Sequence, residues 1–548
     1  MGIPSYFSYI IKNHSNIIRT LSFHRKNAKT VFHSLYMDCN SIVYDSVYSL
    51  EKTSPNTNRE KFEQDIIDTV IAKIREYIAV ISPTNVAYIA FDGVAPFAKM
   101  EQQRQRRYKS AYMSMLQFDD PTKPVLRSSP PTNKWNTSAI TPGTQFMANL
   151  SRQVNEQLHN IRIHNCRLIV STSNDPGEGE HKMFEYMRNH TNPTENVAVY
   201  GLDSDLIMLS INHAKLCRNI YITRETPEFG KILPANINPQ ANELLLLDTN
   251  LLCKSILTEM NCRPDDTRRV DDYVFMCFLL GNDFLPHLPA INIRRNGIQQ
   301  ILDIYSTHIG KYPDRTLTTT DPVVGLREEW VKVFFAEIAR LEHTFLVEEY
   351  TYRNKLSASN FCSLTKNTPK ERENLFQKTP LIYRGDEHYI CPTEEGWEDR
   401  YYRVILGKDP TPELVDELCR DYIHMLSGVQ KYYSSGVWLM GVCIYAPLMR
   451  DVYAYLSRVG IPNSGSNYSM EVNKDANVLL YVIPKESSVF EEMDETSKEI
   501  VRNHPEYFPK INELTFNWLF NNYFWECHVK LPVIPLRLFT TNPKNDNV

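Results

Sequence analysis

The sequence predicts an α/β fold: a mainly parallel twisted sheet flanked by helices, with a mostly helical second domain packed beside the active site. Three observations lead there. Apolar runs in the first half repeatedly end on a carboxylate. From residue 1 to about 310, strand-like runs alternate with amphipathic stretches. From Trp397 to about Phe539 the pattern is helical and rich in aromatics, with no acid cluster of its own.

VFHSLYMD closes on Asp38, VAYIAFD closes on Asp92, and VAVYG leads into Asp203 and Asp205. These runs read as buried parallel strands whose carboxyl ends deliver acids to one rim, the rim at which open α/β sheets bind ligands. Phe62 to Ile81 and Gln145 to Leu158 read as amphipathic helices. The Pro-, Ser- and Thr-rich stretch from Phe118 to Pro142 reads as an excursion over the surface. A long helical pattern spans Leu326 to Tyr352, and the polar stretch from Asn354 to Glu395 reads as a linker or loop. VDELCRDYIHMLSGVQKYY reads as helix, VLLYVIP as strand-like, and the terminal TNPKNDNV as a frayed tail. The expected units are therefore 1–310, a connecting helix and linker over 311–396, a helical domain over 397–540 and a tail over 541–548.

A chain of 548 residues can bury a large core. Its net charge of −5 does not advertise a polyanion partner, so any nucleic-acid surface has to be a local patch. Eleven scattered cysteines, with no CxxC pair and no Cys/His cluster at zinc spacing, read as free thiols in a reducing compartment. No run approaches a membrane helix, and MGIPSYFSYI lacks the layout of a secretory signal. The expected location is cytoplasmic, with the nucleus left open.

Seven acids stand out: Asp38, Asp92, Glu178, Glu180, Asp203, Asp205 and Asp283. Crowded at one rim they would repel one another, and the usual remedies are protonation or bound cations. Oxygen ligands without Cys or His favour two hard divalent ions, Mg²⁺ or Mn²⁺, the apparatus for attack on a phosphodiester. PGEGEHK places Glu178 and Glu180 in a glycine-flanked turn opening a helix, although acids also suit a helix N-terminus for the dipole alone. His181 reads as a helix-surface or hydrogen-bonding residue, since no second histidine sits four residues away. A lone aspartate in a turn is usually a cap. That reading weakens when the polar residue beyond each buried element is repeatedly acidic. After Asp92, DGVAPFAKMEQQRQRRYK places Lys99, Gln103, Arg106 and Arg107 on one face of a helix expected over Ala98 to Lys109. Such a run is commonly a solvated face, but directly after an acid-terminated strand it suits a terminal phosphate gripped beside the metals.

MGIPSYF, MDCNSIVY, FDGVAPFAKMEQQRQRRYK, SAITPGTQFM, PGEGEHKMFEYMR, YGLDSDLIMLS and DDYVFMCFLLGNDFLPHLP, in this order, closely resemble the first region of the Xrn/Rat 5′→3′ exoribonucleases. YYSSGV, YAPL, VLLYVIP and YFWECHVKLPVIP extend the resemblance through the second half. It implies a PIN-like, flap-endonuclease-related fold in a short form with two family regions only. It also implies that the seven acids ligate two divalent ions directly or through water, and that Lys99, Gln103, Arg106 and Arg107 form the 5′-phosphate pocket. Tyr44 stands where the family usually has a base-packing histidine, Trp438 is matched to its tryptophan partner, and Phe97 replaces a residue that is usually basic.

The expected function is processive 5′→3′ degradation of single-stranded RNA bearing a 5′ monophosphate, releasing nucleoside monophosphates, by a monomer working after decapping factors. Two other classes remain open on sequence: a structure-specific 5′ flap DNA nuclease, and a catalytically inactive RNA-binding scaffold.

Overall fold

A computed structural model describes residues 2–28, 30–53, 58–118, 125–127, 135–163, 165–201, 203–225, 237, 243–319, 325–361, 368–437, 441, 443–461 and 477–539. Eight strands form one sheet: β1 (Ile18–Thr20), β2 (Ser34–Asp38), β3 (Val86–Ala90), β4 (Arg162–Ile163), β5 (Cys166–Ser171), β6 (Asn196–Tyr200), β7 (Asn219–Glu225) and β8 (Leu244–Asp248). Their order across the sheet is β1-β8-β7-β6-β2-β3-β5-β4. The five central strands β7, β6, β2, β3 and β5 run parallel, while β1, β8 and β4 pair antiparallel at the edges.

Alternation along the strands buries both faces. Leu35 and Met37 of β2 join one hydrophobic cluster with Ile66, Ile74, Phe146 and Leu150. Tyr36, between them, joins the opposite cluster with Met183, Phe184, Leu206 and Phe275. The helices behind these contacts are α1 (Arg59–Ile81), α2 (Phe97–Met115), α3 (Gln145–Leu158), α4 (Gly179–His190), α5 (Asp205–His213) and α6 (Arg269–Cys277). α1 and α3 lie where the periodicity predicts them, and Asn58 and Thr144 cap them by accepting from Glu60 N and Met147 N.

Beyond the sheet the chain is mainly helical, led by α7 (Glu328–Phe361) and α8 (Pro412–Ser435), with a short antiparallel pairing of Phe516–Asn517 and His528–Val529. The aromatic residues of α8, Tyr422, Tyr432 and Tyr433, are buried in the same cluster as one face of the sheet, so both halves share one core.

Two expectations need correction. VLLYVIP is not a strand: Val478–Val482 is a short helix, capped by Asn477, packed against α2. A five-residue apolar run buried all round carries no periodicity that separates the two states. The polar stretch from Asn354 to Glu395 is not a loop where described: α7 runs on through it, followed by helices Pro369–Phe376, Thr379–Ile382 and Gly385–Ile390. Its charges turn inward. Arg353 and Arg384 both pair with buried Glu387, at 2.6 and 2.5 Å, and Arg353 also donates to Asn521 O and Asn522 Oδ1. The Phe118 to Pro142 excursion falls largely outside the described residues, apart from a small hairpin pairing Leu116–Gln117 with Val125–Leu126 and the turn around Thr137–Ala139.

Candidate metal centre and phosphate socket

Six of the seven acids arrive from the carboxyl ends of four neighbouring parallel strands, in the order β6, β2, β3, β5. Asp38 ends β2, and Asp92 lies two residues beyond β3. Glu178 and Glu180 follow β5 at the start of α4, and Asp203 and Asp205 follow β6 at the start of α5. Asp283 comes from outside the sheet, on the turn after α6 that begins with Gly281 in the left-handed region.

Local chemistry holds these acids in place. Asn40 clamps the ends of β2 and β3, donating from Nδ2 to Asp92 Oδ2 at 2.5 Å and accepting the Asp92 amide at 3.2 Å. The amide of Gly179 donates to Asp92 Oδ1 at 2.7 Å. A Cβ at Gly179 would lie 2.9 Å from Asp38 Oδ1, so glycine lets α4 approach the carboxylates. Lys182, one turn into α4, donates to Phe91 O and Thr172 O and ties the turns after β3 and β5 together. Burial lowers its ammonium to about 8.

Lys99 of α2 enters this rim rather than lying beside it. Its Nζ sits 2.5 Å from Glu178 Oε2 and 2.9 Å from Asp283 Oδ2. The second half contributes two tyrosines that the sequence reasoning did not assign, although YYSSGV contains them. Tyr432 donates to Glu178, and Tyr433 donates to Asp205 Oδ1 at 2.7 Å. His181 is not on the helix surface as expected: it is buried, its ring is stacked on Tyr432 with centroids 3.7 Å apart, and its Nδ1 has no hydrogen-bond partner among the described residues. Ligand atoms of Glu178, Glu180 and His181 lie within 4.8 Å of one another.

The acids are poorly balanced. Burial, then Asp92 and Asp203, push Asp38 well above the usual carboxylate range. Burial and Asp205 do the same to Glu180. Burial raises Glu178 less, because Lys99 opposes it. Asp205 is pushed up to about 6 by burial and Asp283. Burial also acts on Asp283, but Lys99 overcomes it and holds that acid below the usual range. Among the described residues no lysine or arginine forms an ion pair with Asp38, Asp92, Glu180 or Asp205. Oxygen donors so placed fit hard divalent cations, which would relieve the repulsion that one lysine leaves. Asp203 differs from the rest: it is exposed, and it lines a small pocket with Phe7 and Arg224.

The residues expected to bind phosphate divide. Gln103 is half-buried and Arg106 exposed on α2. Arg107 grips the 137–141 turn, donating to Thr137 O, Ile140 O and Thr141 Oγ1, and it reaches the Tyr44 hydroxyl at 3.4 Å. Tyr44, half-buried, therefore stands at the mouth of this group. Phe97 packs on Tyr481 and Phe539, a core contact. Trp438 lies outside the described residues.

A parallel sheet with buried, underneutralised acids along one rim and a cationic helix crossing it defines an α/β protein with an acid-rich site suited to a metal ion. The chain belongs to the XRN 5′-3′ exonuclease family. Residues 1–226 match the family's "XRN 5'-3' exonuclease N-terminus" and residues 263–382 its "Xrn1 helical domain", together more than half of the chain. Relatives named 5'-3' exoribonuclease 2 include those of Kluyveromyces lactis (27% identical, 72% of this chain, 44% of the relative) and Saccharomyces cerevisiae (29%, 60% and 37%). That of Schizosaccharomyces pombe is 31% identical over 51% of this chain and 32% of its own length. The chain thus spans less than half the length of these curated relatives. Among the described residues no helix is long and apolar enough to cross a membrane.

Proposed function

We propose that this chain is a processive 5′→3′ exoribonuclease that hydrolyses single-stranded RNA bearing a 5′ monophosphate and releases nucleoside monophosphates. One observation carries the reading: the acids converge on one rim, and the same helix that sends Lys99 between Glu178 and Asp283 presents Gln103, Arg106 and Arg107 further along. Two divalent cations, Mg²⁺ or Mn²⁺, held by Asp38, Asp92, Glu178, Glu180, Asp203, Asp205 and Asp283, would supply an acidified water and charge relief at the scissile phosphate. The protein's own residues do the rest. Gln103, Arg106 and Arg107 bind the terminal phosphate, with Tyr44 against the leading base and Trp438 as its expected counterpart. Asn40 and Gly179 orient Asp92, while Tyr432 and Tyr433 orient Glu178 and Asp205.

A socket that closes on a monophosphate excludes a cap or triphosphate, so the enzyme would act after decapping, as a cytoplasmic monomer. Residues 1–310 would form the catalytic domain, 311–396 the connection, 397–540 the domain that closes the site and 541–548 a tail. The relatives' printed names support the direction of attack and the RNA substrate. The test is degradation of matched 5′-monophosphate and 5′-triphosphate RNAs with Mg²⁺. Preference for the monophosphate is expected; equal rates would remove the socket from the account.

A further inference from the structure

A second face of α2 opens on a different space. Gln102, Arg106 and Lys109 lie at i, i+4 and i+7 and line a cavity of about 120 Å³ with Asn282, Asp283, Arg294 and Trp525. Asp283 belongs to both this cavity's lining and the acid rim, so the two adjoin. The walls come from four distant parts of the chain: Gly2 and Pro4 at the N-terminus, α2, the stretch 280–294 after α6 and the segment 520–528.

Its chemistry suits a nucleotide. Three cations, Arg106, Lys109 and Arg294, face two acids, Asp283 and Glu526, and Asp283 is already met by Lys99. Arg294 pairs with Glu526 at 2.5 Å, and Lys109 donates to Trp525 O and Cys527 O. Arg106 is exposed and makes no hydrogen bond or ion pair with a described residue. Asn282 accepts the amides of Phe284 and Leu285 through Oδ1, which fixes its orientation and leaves Nδ2 as a donor with no partner among the described residues. Over the rim stands Trp525, 37% exposed, its ring parallel to Tyr523 with centroids 6.0 Å apart, and the Arg294 guanidinium lies over both. The enclosed volume takes a phosphate and part of a sugar, so the base lies outside, where a flat aromatic waits.

We infer that this cleft is a second nucleotide subsite, which takes a residue of the strand 3′ of the scissile phosphate, its backbone against Asn282 and its base on Trp525. The inference rests on the exoribonuclease reading in one respect: a strand held by its 5′ end in the socket and crossing the acids must continue, and the cleft begins at Asp283.

The test is equilibrium binding, by fluorescence anisotropy, of a 5′-monophosphorylated five-nucleotide RNA to the Asp205→Asn protein in Mg²⁺, with the base removed in turn from the second, third and fourth nucleotides. Removing one of these bases should weaken binding about tenfold, the size of one base–aromatic stack. Trp525→Ala should bind the intact RNA about tenfold more weakly and be indifferent to that same missing base, whereas Trp525→Tyr should keep the dependence. Multiplicative losses, or no sensitive position, would overturn the subsite. A Trp525→Ala protein that loses affinity for free UMP while keeping the missing-base effect would assign the cleft to released product and overturn the strand assignment. Failure of the wild-type chain to hydrolyse any RNA would strike the exoribonuclease reading separately, since binding is measured without turnover.

Discussion

Two clusters of buried charge in this molecule are built to opposite rules. Around Glu387, two guanidiniums and the amide of Phe520 donate to a single carboxylate, and Arg353 is fully buried with its remaining donors engaged by Phe520 O, Asn521 O and Asn522 Oδ1. At the sheet rim, six buried or half-buried acids gather, with Asp203 exposed nearby, and one lysine enters. The first pairs its one acid from both sides and serves to lock α7, the helix Gly385–Ile390 and the segment 520–522 together. The second is left open. An excess of desolvated acids costs folding free energy and persists where something outside the chain completes it, so the imbalance itself marks the functional cluster.

Breaking each cluster should separate them. The largest effect expected is on catalysis: Asp205→Asn should lower RNA hydrolysis by ~10³-fold or more, since a cation ligand is lost, while the metal-free protein melts no lower than wild type because a repulsive charge has gone. Residual activity within tenfold would remove Asp205 from the site. Arg353→Met should do the reverse, destabilising the fold by about 3–5 kcal/mol because Glu387 keeps its burial and loses a partner; unchanged denaturant midpoints would show the network to be dispensable.

The pH response sharpens the contrast. Asp205, raised from 3.8 to about 6, favours folding most when protonated, and that contribution is lost as pH rises through about 6. Asp38 and Glu180 are raised in the same direction. In EDTA the melting temperature should therefore fall between about pH 4 and 6, and saturating Mg²⁺ should remove most of that fall. A metal-free melting temperature that rises over this interval would contradict the assignment. The smallest effect is expected at Tyr433→Phe, which removes the donor to Asp205: Mg²⁺ affinity should weaken about tenfold, with hydrolysis recovering at high Mg²⁺. A loss that excess metal does not repair would give Tyr433 a different role.

Much of the rim was legible in the sequence because most of the acids follow a short apolar run, and parallel strands send such residues to one end of the sheet. α2, α1 and α3 were legible from their periodicity. What escaped was tertiary. Nothing local to KYYSSG says that Tyr432 and Tyr433 reach acids more than 200 residues away. The polar stretch after Asn354 looks like a linker because its helices are short and its buried charges find their partners near residue 520; only the Thr368–Glu371 capping box signals helix locally. Lys99 was expected in the phosphate pocket with Gln103, Arg106 and Arg107; its ion pairs with Glu178 and Asp283, which no local pattern announces, also place it among the acids.

The central claim, that the open cluster is completed by cations, is tested most directly by calorimetric titration of the chain with Mn²⁺, alongside Asp205→Asn. Two ions bound per wild-type chain, with binding sharply weakened in the variant and a raised melting temperature only where binding occurs, is the predicted result. No saturable binding, or equal binding by both proteins, would contradict it.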